Sequence, residues 1–218
     1  MNLSILKNCP LFDGIPSYSI TPMMGCLRAR EQFFGKNEFI YQHGDEINEI
    51  GIVLSGKIQI IKEDIWGNTA ILAELGEGML FGEAFVLGGL SKISLSVIAC
   101  EKTNVLFLDK DRCITPCHAA CGFHFDIVHN IIKILAEKNI FLTNRLEHLA
   151  KRSLKDKIMS YLSFEANNAG SSDFEVAMNR QQMADYLASD RSALSAALSK
   201  LQDEGIIEFS KNKFTLKI

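Results

Sequence analysis

The sequence predicts an α+β fold in three successive parts, and three observations carry that prediction. Residues 26–109 hold short β-type runs broken by glycine turns. Residues 119–150 hold no proline and repeat their apolar residues at helical spacing. Residues 151–218 hold short amphipathic helices and a terminal hairpin.

In the first part, Ile50-Gly51-Ile52-Val53-Leu54-Ser55-Gly56 leads into Lys57-Ile58-Gln59-Ile60-Ile61-Lys62, and Trp66-Gly67-Asn68 turns the chain into Thr69-Ala70-Ile71-Leu72. Ser94–Ile98 and Asn104–Leu108 complete the set. β-Branched and aromatic residues fit a pleated, half-buried surface, and turn signals about every ten residues point to a sandwich or a barrel.

In the second part, Val128, Ile132, Leu135, Leu142, Leu146 and Leu149 fall on alternating steps of four and three, with Asn139 the one polar member. That is the period of a seam between two supercoiling helices, where a single Asn commonly fixes register and partner number. Ile127, Ile131, Ile134 and Phe141 form a second stripe. The two stripes predict one face on the barrel and one on a second copy of the chain.

In the third part, Ser153–Leu162 reads as a short amphipathic helix and Asn167–Asp173 as a loop. Asn179–Ala188 reads as a helix of about two turns, and a second helix opens at Asp190 and runs to about Gln202. Asp190 is expected to cap it, its carboxylate accepting the free amides of the first turn. The inner face is Leu194, Ala197, Leu198 and Leu201, and the outer face is Arg191, Ser192, Ser195 and Ser199. An outer face of short polar and cationic side chains can approach base edges in a major groove. Two helices with a tight join make a helix-turn-helix, and the hairpin Phe209–Lys217, turning at Lys211-Asn212-Lys213, supplies a wing. A plain packing module would show the same pattern.

The hydrophobic fraction of 47% can fill a core, and the formal net charge is -3. No apolar run reaches the roughly 18 residues of a spanning helix, and no signal peptide is legible at the N-terminus. The expectation is a cytoplasmic protein without membrane partners, its six cysteines free or metal-bound. Residues 149–218 carry ten Lys or Arg and nine Asp or Glu, against thirteen and seventeen in the remainder. The asymmetry has the sign expected for DNA binding by the C-terminal part. No nucleophile–base–acid set or phosphate loop stands out, so no catalysis is expected.

The motifs taken in order carry a resemblance. Pro10-Leu11-Phe12, the glycine-spaced strands with Ile52–Lys57 and Phe81-Gly82-Glu83, and the long helix are followed by Asn179–Leu187, Arg191–Ser195 and Leu198–Ile207. Over about residues 10–217 this resembles the CRP/FNR family of bacterial transcription regulators. The resemblance implies a double-stranded β-barrel over residues 1–118, of the cyclic-nucleotide-binding jelly-roll type. It implies a dimerisation helix over 119–150 and a winged helix-turn-helix over 151–218. The implied partners are double-stranded DNA at a palindromic site, a second copy of the chain and RNA polymerase, with activity set by an effector or a redox signal. The alternatives are a metal- or thiol-based redox sensor and a ligand-binding module that does not act on DNA.

By position, Arg180 and Gln181 match residues that contact phosphates, and Arg191 matches an arginine that reads guanine. Ser192 stands where many members have Glu, and Ala196 where many have a second Arg, so the familiar half-sites are not expected. Lys211 and Lys213, on the wing, are expected at phosphates. In cyclic-nucleotide members a Gly-Glu pair and a later Arg-Ser pair hold the cyclic phosphate. Gly82 and Glu83 match the first pair, while Ile93 and Ser94 fall on the second. A buried phosphate without a cation is costly, and Lys92 on a strand would point to the opposite face, so cyclic AMP is disfavoured.

Cys113, Cys117 and Cys121 are spaced by four, with His118 and His124 close by. Thiolate and imidazole suit zinc, iron or an iron–sulfur cluster. Small buried hydrophobes, with Pro116 interrupting any continuous helix, are the other reading.

Overall fold

A computed structural model of the chain describes residues 3–64, 66, 68–115 and 122–217. The chain divides into two compact units, Met1–Ala136 and Glu137–Ile218.

The first unit opens with α1 (Leu3–Lys7), a 3-10 turn at Pro10–Phe12 and α2 (Ser17–Cys26). The strands are β1 (Arg30–Phe34), β2 (Phe39–Tyr41), β3 (Glu49–Ser55), β4 (Ile58–Glu63), β5 (Thr69–Leu75), β6 (Leu80–Phe81), β7 (Ser96–Ala99) and β8 (Thr103–Asp109). Two further helices, α3 (Glu83–Leu87) and α4 (Lys110–Ile114), lie after β6 and β8. The strands form two four-stranded antiparallel sheets, ordered β1-β8-β3-β6 and β2-β7-β4-β5. The expected barrel is therefore an open jelly roll of two sheets that share a core. β7 starts at Ser96, after Ser94 and Leu95, because the chain ahead of it is held by Ile93 N–H to the Asp45 carbonyl at 3.0 Å.

Phe107 on β8 is the centre of that core. Phe34, Tyr41 and Phe81 each meet its ring edge-to-face, with centroids 6.1–6.3 Å apart. The end of the Phe81 ring packs against Gly51 of β3, where an added Cβ would fall 2.2 Å from its Cζ. Only glycine fits that position.

The long helix, α5 (Phe123–Leu149), contributes to both units. Ile127, Ile131 and Ile134 are buried in the core of the first unit, as the second stripe predicts. Asn130, on the same face, donates from its amide to the Leu11 and Asp13 carbonyls at 3.0 and 2.9 Å, which fixes the N-terminal turn on the helix. The stripe ends there. Phe141 stacks instead on Tyr186 of the second unit, with centroids 5.5 Å apart.

The second unit continues with α6 (Leu154–Ala169), β9 (Asp173–Glu175), α7 (Arg180–Tyr186), α8 (Arg191–Asp203), β10 (Ile207–Ser210) and β11 (Lys213–Leu216). Ser153 caps α6, its hydroxyl accepting from the Asp156 amide at 3.1 Å. The segment 167–173 expected as a loop is instead the last turn of α6, a Gly170 stop at φ +64 and the start of β9. Two asparagines at the end of that helix hid it, since Asn is as common in loops as at helix ends. β9 adds to the hairpin to make a three-stranded sheet, β10-β11-β9. Ile158, Tyr161, Leu162, Met183, Leu187, Leu194, Leu198 and Leu201 form the core of this unit.

Candidate nucleic-acid interface

The join between α7 and α8 is built by local rules. Asn179 forms a capping box with Gln182: its side chain accepts from the Gln182 amide at 3.0 Å, and its own amide donates to the Gln182 side chain at 2.9 Å. Ala188 takes a left-handed φ of +50, which turns the chain sharply before α8 starts at Arg191. Asp190 occupies the N-cap position, but its side chain makes no capping bond. The expected cap is thus backbone only. Asp190 lines an open cleft of about 620 Å³, shared with Gln181, Asp185, Ser189, Arg191, Ser192 and Ser195.

The cleft holds donors and acceptors close together. Gln181 donates from its amide to Asp185 Oδ1 at 2.9 Å, which ties two α7 side chains to each other. Arg191, Ser192 and Ser199 are exposed along α8. The Ser195 hydroxyl donates back to the Arg191 carbonyl at 2.9 Å, so its proton is engaged and it presents an acceptor outward. Lys211 and Lys213 flank the wing turn and are exposed, Lys211 at φ +53.

Arg180 is placed differently from its neighbours. Its guanidinium lies 4.9 Å from the Phe209 ring centre and 5.1 Å from that of Phe214, and it donates to the Lys211 carbonyl at 2.9 Å. Burial lowers its pKa.

Three residues that sequence reasoning missed hold α7, the first helix of the motif. Arg145 of α5 donates to the carbonyls that end α7, and His148 is buried among Tyr161, Phe164 and Tyr186 with its Nδ1 2.9 Å from the Ser160 hydroxyl. Burial pulls the His148 pKa down. Tyr186 is the hub, since Phe141, His148 and Tyr161 all pack on its ring. Nothing in the spacing of α5 points to this, because the partners of Arg145 lie about 40 residues further on and those of His148 lie on α6 and α7.

In the first unit, the four positions matched to the phosphate cassette differ in their surroundings. Gly82 adopts φ +81 and precedes α3, Glu83 is buried in the first turn of that helix, and Ser94 is exposed. Ile93 is 2% exposed and belongs to the hydrophobic core. Lys92 is exposed and lies ahead of β7, in an isolated bridge with Glu46, so the strand expected to set its direction is not formed there.

Cys117 and Cys121 lie outside the described residues. α4, which carries Cys113, ends at Ile114, and Thr115 after it is extended. Cys113 is fully enclosed, and burial together with the Asp109 charge pushes its thiol up to about 12. His124 is also buried, and it lines a small apolar hollow of about 70 Å³ with Cys26, Met23, Leu27 and Phe123. Among the described residues, no three His, Cys, Asp or Glu side chains come together as a metal site.

Comparison with known proteins completes the picture. Residues 31–115 match the cyclic nucleotide-binding domain, and residues 156–218 match the Crp-like helix-turn-helix domain. The chain belongs to the CRP/FNR family of transcription regulators. Its function is accordingly that of a DNA-binding transcription regulator. The cyclic AMP receptor protein of Thermus thermophilus is 24% identical over 203 residues, 93% of this chain and 89% of that protein. The crystal structure of the Thermus thermophilus catabolite activator protein shares the fold with a TM-score of 0.51 at 22% identity, covering 95% of this chain and 93% of that one. The c-di-GMP-responsive global regulator CLP of Xanthomonas campestris aligns with a TM-score of 0.54 at 16% identity, over 92% and 99% of the two chains. At these identities the structures establish the fold and leave the effector open. Among the described residues, no helix is long and apolar enough to cross a membrane.

Proposed function

We propose that the chain acts as a homodimer on a palindromic DNA site, paired along α5, with its affinity set by an effector other than a cyclic nucleotide. The observation that carries the dimer is the outer line of α5. Ile132, Leu142 and Leu146 are 61%, 55% and 67% exposed, and they share one heptad spacing with Asn139 and with Val128 and Leu135, which are half-buried, Leu135 packing on the core of the first unit. A monomer would leave this stripe in water, at about 25 cal/mol for each Å² of apolar surface. A twofold axis along the seam gives two copies of α8, and two equivalent helices read two equivalent half-sites.

Ile93 supports the reading of the effector. A cyclic phosphate at this position would meet a branched alkyl group and no cation. The regulator works beside RNA polymerase in the cytoplasm and performs no catalysis of its own. Sequencing of genomic DNA fragments retained by the purified protein tests the proposal. A two-fold symmetric motif with half-site centres about one helical turn apart is the expected result. Retention of fragments with a single, asymmetric half-site would overturn the symmetric dimer.

A further inference from the structure

We propose that Arg180 is the residue that positions the wing, and that it does so in place of gripping a phosphate itself. The proposal rests on the reading that the wing meets DNA.

Three contacts converge on one guanidinium. Its face covers the stacked pair Phe209 and Phe214, whose ring centres are 5.8 Å apart at an interplanar angle of 26°. One edge donates to the Lys211 carbonyl at 2.9 Å. The other edge approaches the Met183 sulfur at 4.0 Å. The side chain thus bridges the first residue of α7 to both strands of the hairpin and to the turn between them.

The turn has need of such a bridge. Lys211 is a non-glycine residue at φ +53, a conformation that costs energy unless its surroundings enforce it. The acceptor of the Arg180 bond is the carbonyl of that same residue. Asn212, next in the turn, is held from the other side, where its carbonyl accepts from the Val176 amide at 2.9 Å. Lys211 and Lys213 flank this fixed point with exposed side chains. A planar guanidinium can stack on rings and donate along its edge at the same time, which a lysine ammonium cannot do. Arg180→Lys therefore separates the two roles. It keeps the charge that a phosphate needs and loses the geometry that the wing needs.

The test uses the full-length protein, with Arg180→Lys, Arg180→Gln and Phe209→Leu variants. In the free protein, amide hydrogen exchange at residues 210–214 should quicken about tenfold in all three variants. Binding to one fixed mixed-sequence duplex, titrated over a range of salt, provides the second readout. Arg180→Lys and Arg180→Gln should weaken binding alike, by several-fold. Adding either to a Lys211→Gln, Lys213→Gln background should change binding by less than about twofold, because the group being positioned is already gone. Arg180→Lys with wild-type exchange and affinity, beside Arg180→Gln with a salt slope lower by about one per protomer, would overturn the proposal in favour of a phosphate contact. If the Arg180 variants fail to fold, Phe209→Leu decides alone. It retains the charge, so unchanged exchange in the wing would overturn the proposal. The exchange arm needs no DNA, so a failure of DNA binding in the wild type would sink the functional reading and leave this test standing.

Discussion

Arg145 reaches from α5 to the end of α7 and lies over Tyr186. Its Nη2 donates to the Asp185 carbonyl at 2.9 Å, its Nε to the Tyr186 carbonyl at 3.0 Å, and its guanidinium carbon sits 5.6 Å from the Tyr186 ring centre. The last carbonyls of a helix have no intrahelical donor, and a cation there also meets the favourable end of the helix dipole. Arg145 therefore links the long helix to the first helix of the DNA-binding motif. Arg145→Ala should destabilise the second unit by about 1–2 kcal/mol. Urea denaturation followed through tyrosine fluorescence measures this, and an unchanged midpoint would show the link to be idle.

His148 should make the same region sensitive to mild acid. The residue is 2% exposed, and among the described residues its Nε2 has no hydrogen-bond partner. Burial, with the Lys151 charge acting in the same direction, outweighs the opposing Glu147 charge and lowers the pKa. The unfolded ring titrates near about 6.5. A lowered folded pKa means that the unfolded state binds the proton more tightly. The stabilisation is therefore full above about pH 6.5 and is lost as pH falls toward the folded value. Thermal melts across that range should show the decline, and His148→Phe should flatten it.

The two preceding cases show where the sequence stopped being informative. The fold class, the α5 stripes and the α7–α8 motif were legible because each depends on a short period: two for strands, three and four for helices. Glycine turns and caps added the boundaries, so Asn179 and Gly170 mark real ends. What could not be read depends on long-range pairing. Arg145 to Tyr186 and Arg180 to Phe209 and Phe214 cross about 30 to 40 residues, and no local pattern announces them. The phosphate contact carried onto Arg180 came from position alone, and position does not say which way a guanidinium turns. Asp190 was legible as a cap by type, while its side chain makes no capping bond and the residue lines the cleft.

The outer line of α5 gives a direct test of dimerisation. Leu142 and Leu146 are more than half exposed, so changing them should spare the fold of the single chain. Leu142→Glu with Leu146→Glu places like charges across the proposed axis, and sedimentation should show monomers with DNA affinity lowered by at least tenfold. A wild type that sediments as a monomer at micromolar concentration would refute the seam.

Calorimetry should find no tight binding of cyclic AMP or cyclic GMP. Ile93 is enclosed in the core, and its neighbour Lys92 faces solvent. Ile93→Arg should not create a site. It should instead destabilise the jelly roll, since an unpaired buried cation costs several kcal/mol. A micromolar dissociation constant for the wild type would mean that Lys92 or another cation turns inward.

The sharpest distinction lies between Arg191 and Lys213. Arg191 is the first residue of α8, exposed at the mouth of the cleft, with Ser192 and Ser195 too short to block close approach. A guanidinium there can donate two parallel bonds to guanine O6 and N7, a pair of acceptors that no other base presents in the major groove. Lys213 sits on the wing as a flexible point charge and can reach phosphate oxygens, which carry no sequence information. Arg191→Ala should therefore cost about 1–3 kcal/mol and relax the preference at one base pair in each half-site. Lys213→Ala should weaken all sequences alike and lower the salt slope by about one per protomer. Binding to a panel of single-base operator variants at two salt concentrations separates the two effects. Equal weakening of every variant by Arg191→Ala would make Arg191 a phosphate clamp. The base readout would then pass to other exposed groups of α8 at the cleft, Ser192 and Ser195 among them.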